Sequence, residues 1–183
     1  MKVGDQVFFA PGIRFRDLDL DGTRLPEQYG ARIEGYYLTP AQRAAEAGDA
    51  FASGLLTLTA VDAMSRMYYG SNRTNRRRVH GDFQSFAHQR LASFAEPKAA
   101  KILYEKFRNG LVHEARLKDG CQFEICRSRT FDNSGLTPII DPARLVVEAR
   151  AALDVLVSEM KSSQEFRRDF SNCLRREFSF ELA

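Results

Sequence analysis

The sequence predicts a mainly α fold, a compact helical bundle carrying a short β-hairpin insertion and an N-terminal arm. Three observations predict it. Apolar residues recur at helical spacing over most of the chain, Gly, Pro and Asp-Pro signals divide those stretches, and strand-like patterning is confined to short segments. At 183 residues, 44% of them hydrophobic and 28% charged, the chain has the size and composition of one soluble domain with its own core. The expected organisation is a single domain over 1–183: an arm at 1–24, helices that include a chemistry-bearing motif at 25–118, a hairpin insertion at 119–140, and C-terminal helices at 141–183.

In the arm, the apolar runs Val7 to Ala10 and Ile13 to Phe15 are broken by Pro11-Gly12 and followed by the acidic turn Asp17 to Gly22, which reads as an arm or an edge hairpin. From Pro26, the residues Tyr29, Ile33, Tyr36 and Tyr37 repeat at helical spacing until Thr39-Pro40 interrupts them. A long helix is expected from about Ala41 to Tyr69, stopped by Gly70-Ser71-Asn72. Its apolar residues wrap most of the circumference around Gly54 to Ala63, so it belongs at the centre of the bundle.

The strongest charge run comes next, with Arg73, Arg76, Arg77, Arg78 and His80 in a loop from Asn72 to Gly81. A helix from about Asp82 carries Phe83, Phe86, Ala87, Leu91 and Phe94 on one side. Pro97 suits a first helical turn, and the segment Pro97 to Lys118 buries Ile102, Leu103, Phe107 and Leu111. After the turn Asp119-Gly120, Cys121 to Thr130 alternates like a strand. Leu136 to Ile140 is its expected partner, placed at an edge by Pro138.

Asp141-Pro142 then supplies the N-cap and first-turn proline of a long helix, whose core face runs from Leu145 and Val146 to Leu156 and Met160. A last amphipathic stretch sets Phe166, Phe170, Leu174 and Phe178 opposite Arg167, Arg168, Arg175 and Arg176. That stripe is compatible with packing on its own bundle or on a second subunit.

Several function classes are disfavoured by composition. A formal net charge of +3 is too small by itself to define a nucleic-acid-binding protein. No apolar run is long enough to cross a bilayer, and Asp5, Arg14 and Arg16 make the N-terminus unlike a signal peptide, so the expected location is cytoplasmic. Three cysteines, Cys121, Cys126 and Cys173, lack CxxC spacing and a nearby His, which argues against both disulfides and zinc. No metal and no cofactor is expected.

Chemistry concentrates in Arg108-Asn109-Gly110-Leu111-Val112-His113. On a regular helix Glu105, Asn109 and His113 lie four apart on one face, with Arg108 beside them and Phe107, Leu111 and Val112 on the buried side. Histidine titrates near neutrality and can exchange a proton with a ribose hydroxyl. Arginine stays charged and offers a planar fork of donors to phosphate oxygens. Asparagine can orient either, and such a site needs no metal when the ribose hydroxyl is the nucleophile. Asp62 and Arg66, four apart on the apolar helix, need partners. They pair with each other, or Asp62 reaches Arg108 or His113 across the bundle. Asn109-Gly110 also admits a helix end at Gly110, which would separate Arg108 from His113.

The ordered set Arg108, Asn109 and His113 on a late bundle helix resembles the signature of the HEPN superfamily, with the likeness covering about residues 41–160. The resemblance implies a HEPN-like helical bundle and a metal-independent endoribonuclease in which two chains pair to form one composite Arg/His site. It therefore implies a homodimer. In that reading Arg108, Asn109 and His113 are catalytic, Arg73, Arg76, Arg77 and Arg78 hold RNA, and Asp62 and Glu105 support the site from behind. The alternatives are a non-catalytic HEPN-like module that binds a nucleotide or RNA, and a structural or interaction bundle. In toxin members of the family a tyrosine often stands two residues after the histidine; Ala115 stands there, which argues against regulation by AMP transfer. Any partner protein or antitoxin is not specified by the chain.

Overall fold

A computed structural model describes residues 2–3, 6–70, 79–114 and 116–182; of Lys2, Val3, Val79, His80, Val112 and His113 it describes the backbone alone. The arm is an antiparallel meander of β1 (Lys2–Val3), β2 (Gln6–Ala10) and β3 (Ile13–Arg14). Gly12 turns β2 into β3 at φ +75°, a conformation available to glycine without a Cβ penalty. Phe9 and Phe15 meet edge to face at 5.4 Å, and Phe178 near the other end of the chain packs against both. The arm is thereby part of the core.

Helix α1 (Leu25–Ile33) passes through a π-helical turn, Glu34–Leu38, directly into α2 (Thr39–Glu46). Thr39-Pro40 does not end the helix. Proline at the start of α2 lacks an N–H and would clash with the carbonyl four residues back, and the wide turn, closed by Thr39 N–H donating to Glu34 O, accommodates it. The expected helix from Ala41 to Tyr69 is two helices, because Gly48 adopts φ +84° and Asp49 Oδ1 accepts from Ala52 N at 2.9 Å. A left-handed glycine and an N-cap aspartate side by side end α2 and start α3 (Ala50–Gly70).

Helix α3 lies at the centre, against α2, α4 (Val79–Arg90), α7 (Pro142–Ser162) and α8 (Gln164–Glu177). Leu58, Val61 and Met64 from α3, Phe83 and Phe86 from α4, Leu153 from α7 and Phe170 from α8 are all buried. Asp141 caps α7 as its sequence signal promised, accepting from Ala143 N and Arg144 N at 2.9 and 3.2 Å. On α8, Phe170 and Leu174 are fully buried and Phe166 and Phe178 half-buried within the same bundle, so that stripe packs on its own chain.

The hairpin insertion is present with a different arrangement of strands. Its antiparallel pair is β5 (Phe131–Asp132) with β6 (Ile139–Ile140), and β4 (Gln122–Phe123) adds to β6 in parallel. β6 is the central strand and Pro138 sits just before it, where its carbonyl still accepts from Gln122 N at 3.1 Å. Phe123 anchors the insertion on α3, lying so close to Gly54 that a Cβ there would come within 2.4 Å of the ring. Among the described residues no helix is long and apolar enough to cross a membrane.

Candidate functional site

The chemistry-bearing segment is not one uniform helix. Short α5 (Pro97–Ile102) opens into a second π-helical turn, Leu103–Arg108, and α6 (Asn109–Glu114) begins at the motif. Asn109 N–H reaches back five residues to Tyr104 O. A π-turn inserts a wider step into the helical ladder and so rotates the residues before it relative to those after it. Glu105 therefore departs from the common face with Asn109 that regular helical spacing predicts. It is exposed and pairs with Lys101 at 3.8 Å.

Helix α6 runs through Gly110, so the helix end admitted at Asn109-Gly110 does not occur. Glycine is needed for another reason. The chain after α6 turns back over it, with Arg116 N–H donating to Gly110 O at 3.3 Å and Lys118 N–H to Lys106 O at 3.1 Å. A Cβ on Gly110 would lie 2.3 Å from Arg116 O. Glu114 fastens the same crossing through Arg116 at 2.7 Å and Lys118 at 2.6 Å, and the hydrogen bond from Lys118 holds its carboxyl below the ordinary range.

Arg108 is buried, at 7% exposure, and points toward α3. Its Nη2 donates to both carboxylate oxygens of Asp62 at 3.2 Å, its Nη1 donates to Asn109 Oδ1 at 3.2 Å, and its guanidinium lies 5.6 Å from the centre of the Tyr104 ring. Asp62 also receives Arg66 Nε at 3.1 Å. Both readings of Asp62 thus hold at once. It bridges a surface arginine on its own helix and a buried arginine on another. Removing a guanidinium from water is costly unless a carboxylate and further acceptors replace the lost hydration, and Asp62 with Asn109 does so at the two terminal nitrogens.

Asp62, Arg108 and Asn109 are therefore brought together, while Glu105 faces a lysine on the exposed side. His113 lies one turn after Asn109 on α6, and its side chain is outside the described residues. Arg73, Arg76, Arg77 and Arg78 also lie outside the described residues. Phe83 and Phe86 beyond them are core residues at 0% exposure, and His88 is exposed on α4. Sequence reasoning missed the π-turn and Tyr104, since neither carries a local signal that separates it from an ordinary helix and a core aromatic.

All three cysteines are free, Cys121 and Cys173 buried and Cys126 exposed. Among the described residues there is no cluster of three His, Cys, Asp or Glu side chains able to hold a metal ion. Compared with family models, with curated proteins and with solved structures, the chain finds no match.

Proposed function

We propose that this chain is a HEPN-like bundle acting on an RNA phosphodiester at Arg108, Asn109 and His113, without a metal, in a site completed by a second copy of the chain. The observation that carries this reading is the hydrogen-bonded series Asp62–Arg108–Asn109 at the end of a π-turn. Such turns occur frequently at functional sites, and a guanidinium held by a carboxylate from a neighbouring helix is fixed before any substrate arrives. In this reading His113 exchanges the proton, Asn109 orients it or the scissile phosphate, and Asp62 sets the position of Arg108. The internal ribose hydroxyl attacks, the leaving oxygen takes the proton, and a cyclic phosphate remains.

A second reading, in which Arg108 braces α6 against α3 and the bundle binds RNA or a nucleotide without cleaving it, is favoured by the 7% exposure of Arg108. Cleavage of a single-stranded RNA with chelator present separates the two. The expected result is cyclic-phosphate product from the wild type, lost by about 100-fold or more in His113→Ala, and reduced in Asn109→Ala. Equal turnover in wild type and His113→Ala overturns the catalytic reading, and RNA retention without cleavage supports the second.

A further inference from the structure

A cavity of about 190 Å3 opens between α1, α3 and the end of α8. Its interior is apolar: Ile33 and Tyr29 come from α1, Met67 and Ala63 from α3, and the half-buried rings of Tyr37 and Phe178 stand at its sides. Burial pushes the Tyr29 phenol far up, so that side chain is neutral and its hydroxyl donates to Ala63 O at 3.4 Å. The volume is below the range of drug-sized sites, roughly 300–1,000 Å3, and suits one ring with a short chain.

Three charges meet this cavity, and they are unequally compensated. Arg66 is exposed and shares the Asp62 carboxylate with Arg108. Glu177 is exposed at the rim. Arg32 is half-buried, its guanidinium 4.9 Å from the ring centres of both Phe9 and Phe178 and 5.7 Å from that of Tyr36, and it donates to the Phe9 carbonyl. It forms no ion pair among the described residues. Aromatic faces attract a cation but do not replace a counter-ion, and a guanidinium has five N–H donors, of which one carbonyl uses few. Of the charges at this apolar cavity, the half-buried one without a counter-ion among the described residues is thus the positive charge of Arg32. With Glu177 close by, a polyanion is disfavoured and a monoanion fits.

We propose that this cavity is a binding site for a small monocarboxylate with an apolar, ring-sized body, the carboxylate taken by Arg32 and the body by Ile33, Met67 and Tyr37. The site is independent of the RNA reading. Calorimetric titration of the full chain with 3-phenylpropanoate and with its neutral analogue 3-phenylpropanamide tests it. The wild type is expected to bind the carboxylate about tenfold or more tighter than the amide, as a charge-assisted fork contact implies. Arg32→Gln is expected to lose that preference. Ala63→Phe, which fills the cavity, is expected to lose both ligands while keeping the wild-type helical circular dichroism. No carboxylate binding by the wild type, equal affinity for carboxylate and amide, or undiminished binding by Ala63→Phe overturns the proposal. Where Arg32→Gln does not fold, the carboxylate-to-amide comparison and Ala63→Phe carry the test.

Discussion

Asp62 and Arg108 show how much one side chain can impose on another some 46 positions away in sequence. Removing only the carboxylate leaves Arg108 buried without its counter-charge, so Asp62→Ala is expected to destabilise the protein by about 3 kcal/mol. The double variant Asp62→Leu/Arg108→Met is expected to recover most of that loss, because a paired ion and a pair of apolar residues of similar volume are close in stability. Urea unfolding of Asp62→Ala and of the double variant checks this; an Asp62→Ala midpoint equal to the wild type's would mean that the pair does not hold the π-turn to α3. Gly110 is constrained by space in the same region. Gly110→Ala places a methyl group 2.3 Å from the Arg116 carbonyl and is expected to cost about 2 kcal/mol. Gly81→Ala on α4, where a Cβ meets nothing within 4 Å, is expected to stabilise by about 0.5–1 kcal/mol through helix propensity. Opposite signs in a thermal melt would confirm the contrast.

At the scale of elements, the two π-turns are the feature that sequence periodicity does not reveal. Each keeps a helix continuous while changing its facing, one at Glu34–Leu38 and one at Leu103–Arg108. The first presents Glu34 to α7, where Arg150 binds it through Nη2 at 2.9 Å and Nε at 3.1 Å, and Thr39 donates to it at 2.8 Å. The Arg150 hydrogen bonds hold the Glu34 carboxyl below its ordinary value of 4.5. A depressed folded-state pKa contributes stability above the unfolded value, and that contribution is lost as pH falls through the folded value. The half-exposed geometry limits it to about 1 kcal/mol or less. Wild type is therefore expected to exceed Glu34→Gln in urea midpoint at neutral pH, with the gap closing as pH drops below 4.5. A gap that is constant from pH 7 to about pH 3 would remove Glu34 from the acid sensitivity of the fold.

For the whole molecule, the proposed chemistry requires two chains, since one chain carries one copy of the motif. Sedimentation velocity is expected to show a dimer at the concentrations at which RNA is cleaved. Cleavage by a protein that sediments as a monomer throughout would overturn the composite site and leave the bundle itself as the functional unit. The terminal segments join in the same body, since Phe178 packs on Phe9 and Phe15 of the arm.

Helix signals with local causes were legible in the chain. Asp141-Pro142 starts α7, Pro97 starts α5, and the all-round apolar character of α3 puts it in the centre, because capping, proline geometry and burial act through neighbours a few residues away. The break at Gly48-Asp49 had its signal in the sequence as well, a left-handed glycine beside a capping aspartate, yet the surrounding helix formers obscured it. The triplet Arg108, Asn109 and His113 was equally legible as residue types in order. What tertiary structure alone decided is where Arg108 and Glu105 point and how the short strands pair. Asp62 draws Arg108 into the bundle, the π-turn sends Glu105 outward, and β4 joins β6 in parallel across a crossover. The Asp62–Arg108 pair and the β4–β6 ladder depend on partners distant in sequence, whose distances and desolvation are set only when the chain has packed.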